Sequence, residues 1–553
     1  MRKVSLFITF LAIIGLLGGC GEDTTSLSSN TTSFNNDSLS NTSEVKYDFN
    51  PSNQKIETVY ENESGTFYEI FVYSFYDSNN DGIGDLNGVK EKLPYLKELG
   101  INGIWLTPIM PSNSYHKYDV IDYYNIDKDF GTIADFESLV SEADKLGIDI
   151  IIDLVLNHTS TSNQWFIDSL QAQINNDTYS QYYHYYNWSN ESKTGYTESS
   201  HKGLYYESQF DSSMPDLNLD NEDVRDDIKD IIHFWMNKGI KGFRLDATTY
   251  YYQSADKNIE MLSYIRQCAK EIRSDCYIVG EAWSGEGTIE EYSKSGNSFF
   301  AFQYSQGNNP SFVYSINTKN LSNVNEGLVE FTKVVRTNNP ESNTAFFIAN
   351  HDMDRTGRYF SGRPYEDQYL KVLASLYLLT PGNPFIYYGE EIGIAGTRGT
   401  SNTDANRRLH MIWGGDEKEN ETIDPPGANY DSNLQVKLGA NDLKDDVSSL
   451  TYHYKKIINL RNKYSDLFLY GDVSYVKISS VLFGLEFSYE ENDIIVLTNI
   501  YEKGLNIKLS TYLEEYDKYT LTDEVQVINE QSSYDFEYLN IMPFSTIILT
   551  KSI

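Results

Sequence analysis

Eight short apolar runs, each followed by a stretch of helical periodicity, constrain this 553-residue chain more than any other feature. They are Tyr68–Phe75, Ile101–Leu106, Ile148–Leu156, Gly242–Leu245, Tyr277–Val279, Phe299–Tyr304, Ala345–Ala349 and Pro384–Tyr388. Between them, segments such as Val224–Lys238 and Asp256–Arg273 read as helices. Parallel strands need long crossover connections, and a helix is the usual one. Eight such alternations over about 400 residues predict an α/β protein built on a (β/α)8 barrel. One connection is longer: Thr159 to about Leu219 is polar and Tyr-rich (QYYHYYNW), which predicts a small domain inserted after the third strand and walling one side of a cleft. After a helix at Ser448–Lys463 the period falls to two, in Val473–Ile478, Leu482–Tyr489, Asp493–Asn499, Gly504–Leu509, Tyr516–Leu521 and Ser545–Thr550. That pattern predicts a C-terminal antiparallel β-sandwich of about 85 residues. The expected boundaries are 57–158 and 220–465 for the barrel, 159–219 for the insertion and 466–553 for the sandwich.

The first 56 residues read differently. Arg2 and Lys3 precede the apolar run Leu6–Leu17, too short to span a bilayer comfortably, so residues 1–20 are a targeting segment. It ends Leu17-Gly18-Gly19-Cys20, which resembles the lipobox of bacterial lipoproteins and implies lipidation of Cys20; the alternative is an ordinary secretory signal with a coincidental cysteine. Residues 21–56 are Ser, Thr, Asn and Asp with almost no apolar content, a flexible linker. As a coil of about forty residues it reaches roughly 35 Å, enough to hold a folded body clear of a membrane. The expectation is a monomer held by this lipid anchor on the extracellular face of a bacterial cell membrane.

Composition narrows the chemistry. Hydrophobic content of 40% with 14% aromatic residues supports sizeable cores. A net charge of −36 excludes nucleic acid as a partner, which needs a basic footprint, and disfavours direct adsorption to anionic lipid. The 45 tyrosines and 6 tryptophans offer rings that stack on sugar faces, although most such rings simply pack. Three cysteines rule out a disulfide framework; Cys268 and Cys276 are near enough in sequence to pair, and buried free thiols are the other reading.

Within the barrel pattern, Gly242-Phe243-Arg244-Leu245-Asp246-Ala247 ends an apolar strand in an acid. Strand C-terminal ends are where barrel chemistry sits. Arg244, two residues before Asp246, lies on the same strand face and favours an ionised carboxylate. A purely structural Arg–Asp pair is the other reading of this stretch alone. Glu281 closes the fifth strand and Asp352 follows the seventh. Two carboxyls facing across a cleft, one ionised and one kept protonated by its neighbour, are what acetal hydrolysis requires. Separately, Asp77-Ser78-Asn79-Asn80-Asp81-Gly82-Ile83-Gly84-Asp85 places oxygen side chains at alternate positions around a glycine, as in the first half of an EF-hand loop. Gly88 stands where the bidentate glutamate would be, so the loop is not an EF-hand. It predicts a structural Ca2+ held by Asp77, Asn79, Asp81, the Ile83 carbonyl and Asp85; an Asp-rich turn held by its own side-chain caps is the alternative.

Residues 65–553 resemble a family 13 glycoside hydrolase, the α-amylase family, through motifs in the family's order. They are Gly103-Ile104-Trp105-Leu106-Thr107-Pro108, Tyr118-Asp119-Val120, Asp153-Leu154-Val155-Leu156-Asn157-His158, Met214-Pro215-Asp216-Leu217-Asn218, Gly242–Ala247, Gly280–Trp283, Asn350–Asp352 and Pro384–Glu391. The resemblance implies that Asp246 is a nucleophile, Glu281 the acid/base and Asp352 a binder and distorter of the sugar ring. It further implies sugar contacts from His158 and His351, stacking by Tyr118, and an Arg244 that keeps Asp246 ionised. The motif MPDLN at Met214–Asn218 is similar to a group between oligo-1,6-glucosidases and neopullulanases, while Ala247 resembles α-1,4-acting members. The implied activity is α-1,4-glucan hydrolysis, with neopullulanase, α-glucosidase or transglycosylase activity as alternatives and a non-catalytic, transporter-partner barrel as a remote one. Thr249-Tyr250 replaces the Lys-His that many α-amylases carry there, which removes a leaving-side sugar contact, so the calcium site that such a histidine's carbonyl helps bind between barrel and insertion is not carried over to this sequence. His410 replaces a proline in Arg408-Leu409-His410-Met411-Ile412-Trp413, leaving that loop's backbone open.

Overall fold

The computed structural model describes residues 47–48, 65–400 and 402–551. The targeting segment, Cys20 and nearly all of the linker lie outside the described residues.

Eight parallel strands form one sheet: β1 (Phe67–Ile70), β2 (Gly103–Leu106), β3 (Asp149–Leu154), β4 (Gly242–Leu245), β5 (Tyr277–Gly280), β6 (Ser298–Phe300), β7 (Thr344–Ala345) and β8 (Phe385–Tyr387). Neighbours run β7-β6-β5-β4-β3-β2-β1-β8, and a parallel bridge from Phe347 to Phe385 brings the two ends together. Helices on the outer side cover it. The helix Glu222–Met236 shows why they form: Asn221 caps it by accepting from the Asp223 and Val224 amides, and two acids fill its first turn. Its Val224, Ile228, Ile231, Ile232 and Trp235 recur at helical spacing and are buried. The chain then re-enters the barrel at Gly242, where a Cβ would lie 1.8 Å from the Tyr277 carbonyl oxygen.

The period of two along each strand sorts side chains into layers. Tyr68, Ile70, Ile104, Leu106, Ile150 and Ile152 face the helices in the main core. Phe67, Trp105, Ile151, Val279, Phe300 and Phe385 fill the barrel interior. Two residues further along the same faces stand Glu69, Asp153 and Glu281, with Arg244 paired in register to Asp153, so a charged layer caps an apolar plug at the strand C-terminal ends. The plug is tightly stacked, with ring centroids 4.9 Å apart for Phe67–Phe385 and for Phe300–Phe385.

Most strands are shorter than their apolar runs suggest: β1 ends at Ile70, where the run to Phe75 continues as the 3-10 turn Val72–Ser74 and a loop, and β2 and β3 each lose residues at their ends. The run from Phe299 leaves the sheet after Phe300 and turns into the helix Phe302–Ser305, and β7 ends at Ala345. Cys268 and Cys276 are both buried and free, so the pairing reading is corrected.

The segment between β3 and β4 carries the helix Gln164–Asn175 and a small sheet of Trp188–Ser189, Tyr196–Glu198 and Tyr205–Glu207. Its aromatic residues form its own core, Phe166 stacking on Trp188 at 5.5 Å and meeting Tyr206 at 4.9 Å. After the helix Leu450–Lys463, eight strands make two antiparallel sheets. The larger orders Asp472–Tyr475, Leu482–Tyr489, Asn492–Asn499, Thr546–Lys551 and Tyr519–Val525; the smaller orders Leu505–Lys508, Tyr538–Ile541 and Ser533–Tyr534. Leu482, Ile495, Leu497, Leu505, Ile507, Leu539 and Ile547 are shared between them as one core. The other face of the larger sheet seals against the barrel, with Phe487 packed on Phe468 at 4.8 Å.

Candidate active site

The charged layer is organised by Arg244, a guanidinium only 1% exposed. Its Nη1 donates to Asp153 at 2.8 Å and to Asp246 Oδ1 at 2.8 Å, and its Nη2 lies 3.0 Å from Glu281 Oε1. The strand ends set this up. Asp246 follows β4 and its amide donates to the Leu154 carbonyl at the end of β3; Glu281 follows β5 and its amide donates to the Leu245 carbonyl. Ala247 then takes a left-handed conformation (φ 50°), and its N–H donates to Glu281 Oε2 at 3.0 Å. Both acids are thus gripped by one planar cation and set by the backbone of adjacent strands.

A second cluster joins from β1 and from the residues after β7. His351 Nδ1 lies 2.6 Å from Glu69 Oε1, while its Nε2 lies 2.7 Å from the Tyr118 hydroxyl and 3.0 Å from Asp352 Oδ2. The Tyr118 ring lies parallel to that imidazole at 5.3 Å, and its hydroxyl donates to Asp153 at 2.9 Å. Arg408 closes the cluster, its Nη2 donating to Asp352 Oδ1 at 2.6 Å and its Nη1 to the Tyr115 hydroxyl at 2.9 Å. Tyr118, Arg244, Asp246, Glu281, His351 and Asp352 therefore form one connected site. Asp352 lines a cleft of about 610 Å³ with Trp283, Phe302, Arg398 and Arg407.

His158 is placed beside this cluster at the junction with the inserted segment. Its ring is 3% exposed, its backbone bridges to Asp216, and Phe210 lies against it at 5.4 Å. Burial lowers its pKa to about 4, so it is neutral, and its Nε2 has no hydrogen-bond partner within the protein.

Five carboxyls (Glu69, Asp153, Asp246, Glu281, Asp352) share three cations (Arg244, Arg408 and charged His351), so the group cannot be fully ionised cheaply. Burial would lower the His351 imidazole, but Asp352 and Glu69 at its two nitrogens raise it to about 10. The same contact, with Arg408, holds Asp352 well below the usual carboxylate range against its burial. Burial pushes Asp246 up to about 6, opposed by Arg244 and reinforced by Asp153. Glu281 is raised by burial, then by the charges of Asp246 and Asp352, with Arg244 working the other way. Both acids are thus raised, Asp246 staying mostly ionised at pH 7 and Glu281 shifted toward its protonated form, the direction a proton donor needs. Arg244 does not serve Asp246 alone, since three carboxylates divide its charge.

Sequence reasoning left Glu69, Asp153 and Arg408 without roles. The available signal was a charged residue inside an apolar run, Tyr68-Glu69-Ile70 and Ile152-Asp153-Leu154. His410, in place of proline, uses the N–H a proline lacks: N and Nδ1 both meet Asp424 Oδ1, at 3.2 and 2.7 Å.

In the candidate calcium loop, Asp77 Oδ1 accepts from the Asn79 and Asn80 amides and Oδ2 from Gly82, while Asn79 and Asp81 each accept one amide and remain exposed. Asp85 caps the helix Leu86–Glu91 through the Gly88 amide and binds Ser78. Among the described residues no three His, Cys, Asp or Glu side chains are gathered as a metal site. The oxygen donors at Asp77, Asn79 and Asp81 suit a hard cation, with Asp85 already engaged as a cap.

Residues 69–471 match the family described as alpha amylase, catalytic domain. The chain is 38% identical over 466 residues to Alpha-amylase 3 of Dictyoglomus thermophilum, covering 82% of this chain and 88% of that protein. It is 28% identical over 523 residues to an oligo-1,6-glucosidase of Parageobacillus thermoglucosidasius, covering 81% and 91%. The solved structure of Eubacterium rectale Amy13B superposes with a TM-score of 0.82 at 34% identity, covering 89% of this chain and 96% of that one. With the motifs, the barrel and the convergent carboxyls all in place, the chain belongs to the α-amylase family of glycoside hydrolases and is an enzyme of the glycosidase type.

Proposed function

We propose that the protein is a retaining α-glucan hydrolase that cleaves α-1,4 bonds of starch and maltooligosaccharides by double displacement. The observation that carries this reading is the single Arg244 guanidinium bound to both Asp246 and Glu281. Sharing one guanidinium keeps the two carboxyls close, and in the retaining mechanism a pair about 5–5.5 Å apart lets the second acid attack the sugar directly. Asp246 Oδ attacks the anomeric carbon while Glu281 gives its proton to the departing glycosidic oxygen. Glu281, now a carboxylate, takes a proton from water, whose oxygen attacks the anomeric carbon opposite Asp246, on the face the glycosidic oxygen left; the carbon–Asp246 bond breaks, and two inversions retain configuration. Asp352, fixed by His351 and Arg408, binds ring hydroxyls and favours the flattened ring of the transition state; Tyr118 and His351 line the cleaved position, and the unpartnered His158 Nε2 is available to a sugar hydroxyl. Ala247 after the nucleophile favours α-1,4 specificity. The MPDLN motif and the oligo-1,6-glucosidase relative favour a second reading, in which α-1,6 bonds are also cut.

The Ser/Thr/Asn-rich segment and Cys20 support a monomer lipid-anchored on the extracellular face of the cell membrane, within reach of polymeric substrate. The loop Asp77–Asp85 would hold a structural Ca2+ through Asp77, Asn79, Asp81 and the Ile83 carbonyl, with Asp85 released from its cap. The deciding experiment is the product profile on maltoheptaose, pullulan and cyclodextrin for the wild type and Asp246→Asn. The proposal expects maltooligosaccharide products from the wild type and none from the variant; undiminished cleavage by Asp246→Asn would refute it.

A further inference from the structure

Asp352 is gripped by the loop that carries Arg407 and Arg408, and that loop is itself laced to Arg355. Arg355 lies three positions after Asp352, and its side chain is 1% exposed. Its Nε donates to the Arg407 carbonyl at 2.8 Å, and its Nη1 to the carbonyl of Tyr388, just past β8, at 2.6 Å. The rings of Tyr387 and Tyr388 each lie 4.3 Å from the centre of the guanidinium.

The lacing runs both ways. Arg407 Nη1 returns to the Asp352 carbonyl at 2.7 Å, and Arg408 Nε to the His351 carbonyl at 3.0 Å. Arg408 Nη2 then reaches Asp352 Oδ1. From the β8 side, the Tyr388 amide donates to the Glu69 carbonyl at 3.0 Å and its hydroxyl to the Leu409 carbonyl at 2.6 Å. The segment after β7, the end of β8 and the stretch Arg407–Leu409 therefore close into one set of contacts, with the Arg355 guanidinium at its centre.

Stability alone does not explain this placement. Among the described residues Arg355 forms no ion pair: its acceptors are neutral carbonyls, and its Nη2 is buried with no hydrogen-bond partner. An unpaired buried charge and an unfilled donor both cost stability. What the guanidinium supplies is direction, since it is planar, donates along two lines and is flanked by two rings. Lysine, a point charge without a plane, cannot span both carbonyls.

Resting on the roles given above to Asp246, Glu281 and Asp352, we propose that Arg355 is a positioning residue for the reaction: it sets Arg408 against Asp352, and so fixes the carboxylate that favours the flattened sugar ring. Because that ring shape belongs to the transition state, loss of Arg355 is felt in kcat and not in KM.

The test is a double-mutant cycle on maltohexaose hydrolysis with Arg355→Lys, Arg408→Lys and the pair. A displacement of about 1 Å costs up to about a hundredfold, and the Tyr388 hydroxyl still holds the loop, so Arg355→Lys lowers kcat by about tenfold with KM unchanged. Beside Arg408→Lys the same substitution costs less than about twofold, since the contact it serves is already gone. Tyr388→Phe keeps the ring and the buried charge and deletes only the bond to the Leu409 carbonyl. It lowers kcat by about threefold, also only while Arg408 is present, and carries the test if circular dichroism shows Arg355→Lys unfolded. A folded Arg355→Lys with wild-type kcat, a loss confined to KM, or equal losses with and without Arg408 overturns the proposal. Wild-type turnover by Asp246→Asn refutes instead the assignment of the site on which it rests.

Discussion

Replacing Arg244 by Gln keeps a hydrogen-bonding side chain at the centre of the site and removes its charge. Arg244 touches Asp246 at 2.8 Å and Glu281 at 3.0 Å. A unit charge near 4 Å at an effective dielectric of 20 is worth about 4 kcal/mol, equivalent to about 3 pH units in the titration of its partner. Asp246 titrates at about 6 with the arginine present. Without it the acid limb of kcat/KM moves up by as much as 3 pH units, leaving roughly one molecule in a hundred with an ionised nucleophile at pH 7. Glu281 loses the same lowering influence, so the alkaline limb moves up with it and the whole bell is displaced rather than flattened. The assay is the pH profile of kcat/KM for maltohexaose hydrolysis, which needs both the nucleophile and the acid, from pH 4 to 10, with circular dichroism at each end to confirm folding. The expected result is a loss of about 100-fold at pH 7 with partial recovery toward pH 9. A uniform loss with both limbs unmoved would show that Arg244 acts through position alone and would refute the electrostatic argument.

The His351 ring gives a stability prediction with a definite sign. Its folded pKa is raised to about 10, so its stabilisation is complete below the unfolded value near 6.5 and is lost as pH rises through 10. Glu69→Gln removes one of the two charges responsible, so the fall in Tm begins at lower pH than in the wild type; identical Tm profiles between pH 6 and 10 would contradict this. If the loop at Asp77 holds Ca2+, millimolar Ca2+ raises Tm and chelator lowers it, and Asp81→Ala abolishes both responses. A Ca2+-independent Tm in the wild type would assign the loop to its own amide caps.

Much of this architecture could be read from residue order because it follows from local periodicity. The β4 bounds Gly242–Leu245 coincide with the apolar run, and the strand Leu482–Tyr489 forms over the whole of its expected range. What escaped depends on distance along the chain. Glu69 finds His351 across 282 residues, and Arg244 finds Asp153 across 91; nothing local to either pair marks its partner. The strand Tyr538–Ile541 and its short neighbour Ser533–Tyr534 were missed because their outward residues, Ser533, Tyr538 and Asn540, dilute the apolar signal of a sheet buried on one side. The run Phe299–Tyr304 overstates β6 because Phe302 packs into the barrel plug from a helix, where an apolar residue serves equally well. Asp246, Glu281 and Asp352 were legible as acids at strand ends. Their coupling through one shared arginine and a doubly paired histidine was not, since that is a property of closure.

The central claim is that Asp246 forms a covalent bond to the sugar while Glu281 manages the proton. Glu281→Gln removes the acid/base and leaves Asp246 intact, and α-maltosyl fluoride needs no acid to expel its leaving group. Intact-mass and peptide mapping after rapid quenching should find one maltosyl adduct on the peptide containing Asp246. An adduct on another residue, or turnover of the fluoride by Asp246→Asn at the wild-type rate, would contradict the account.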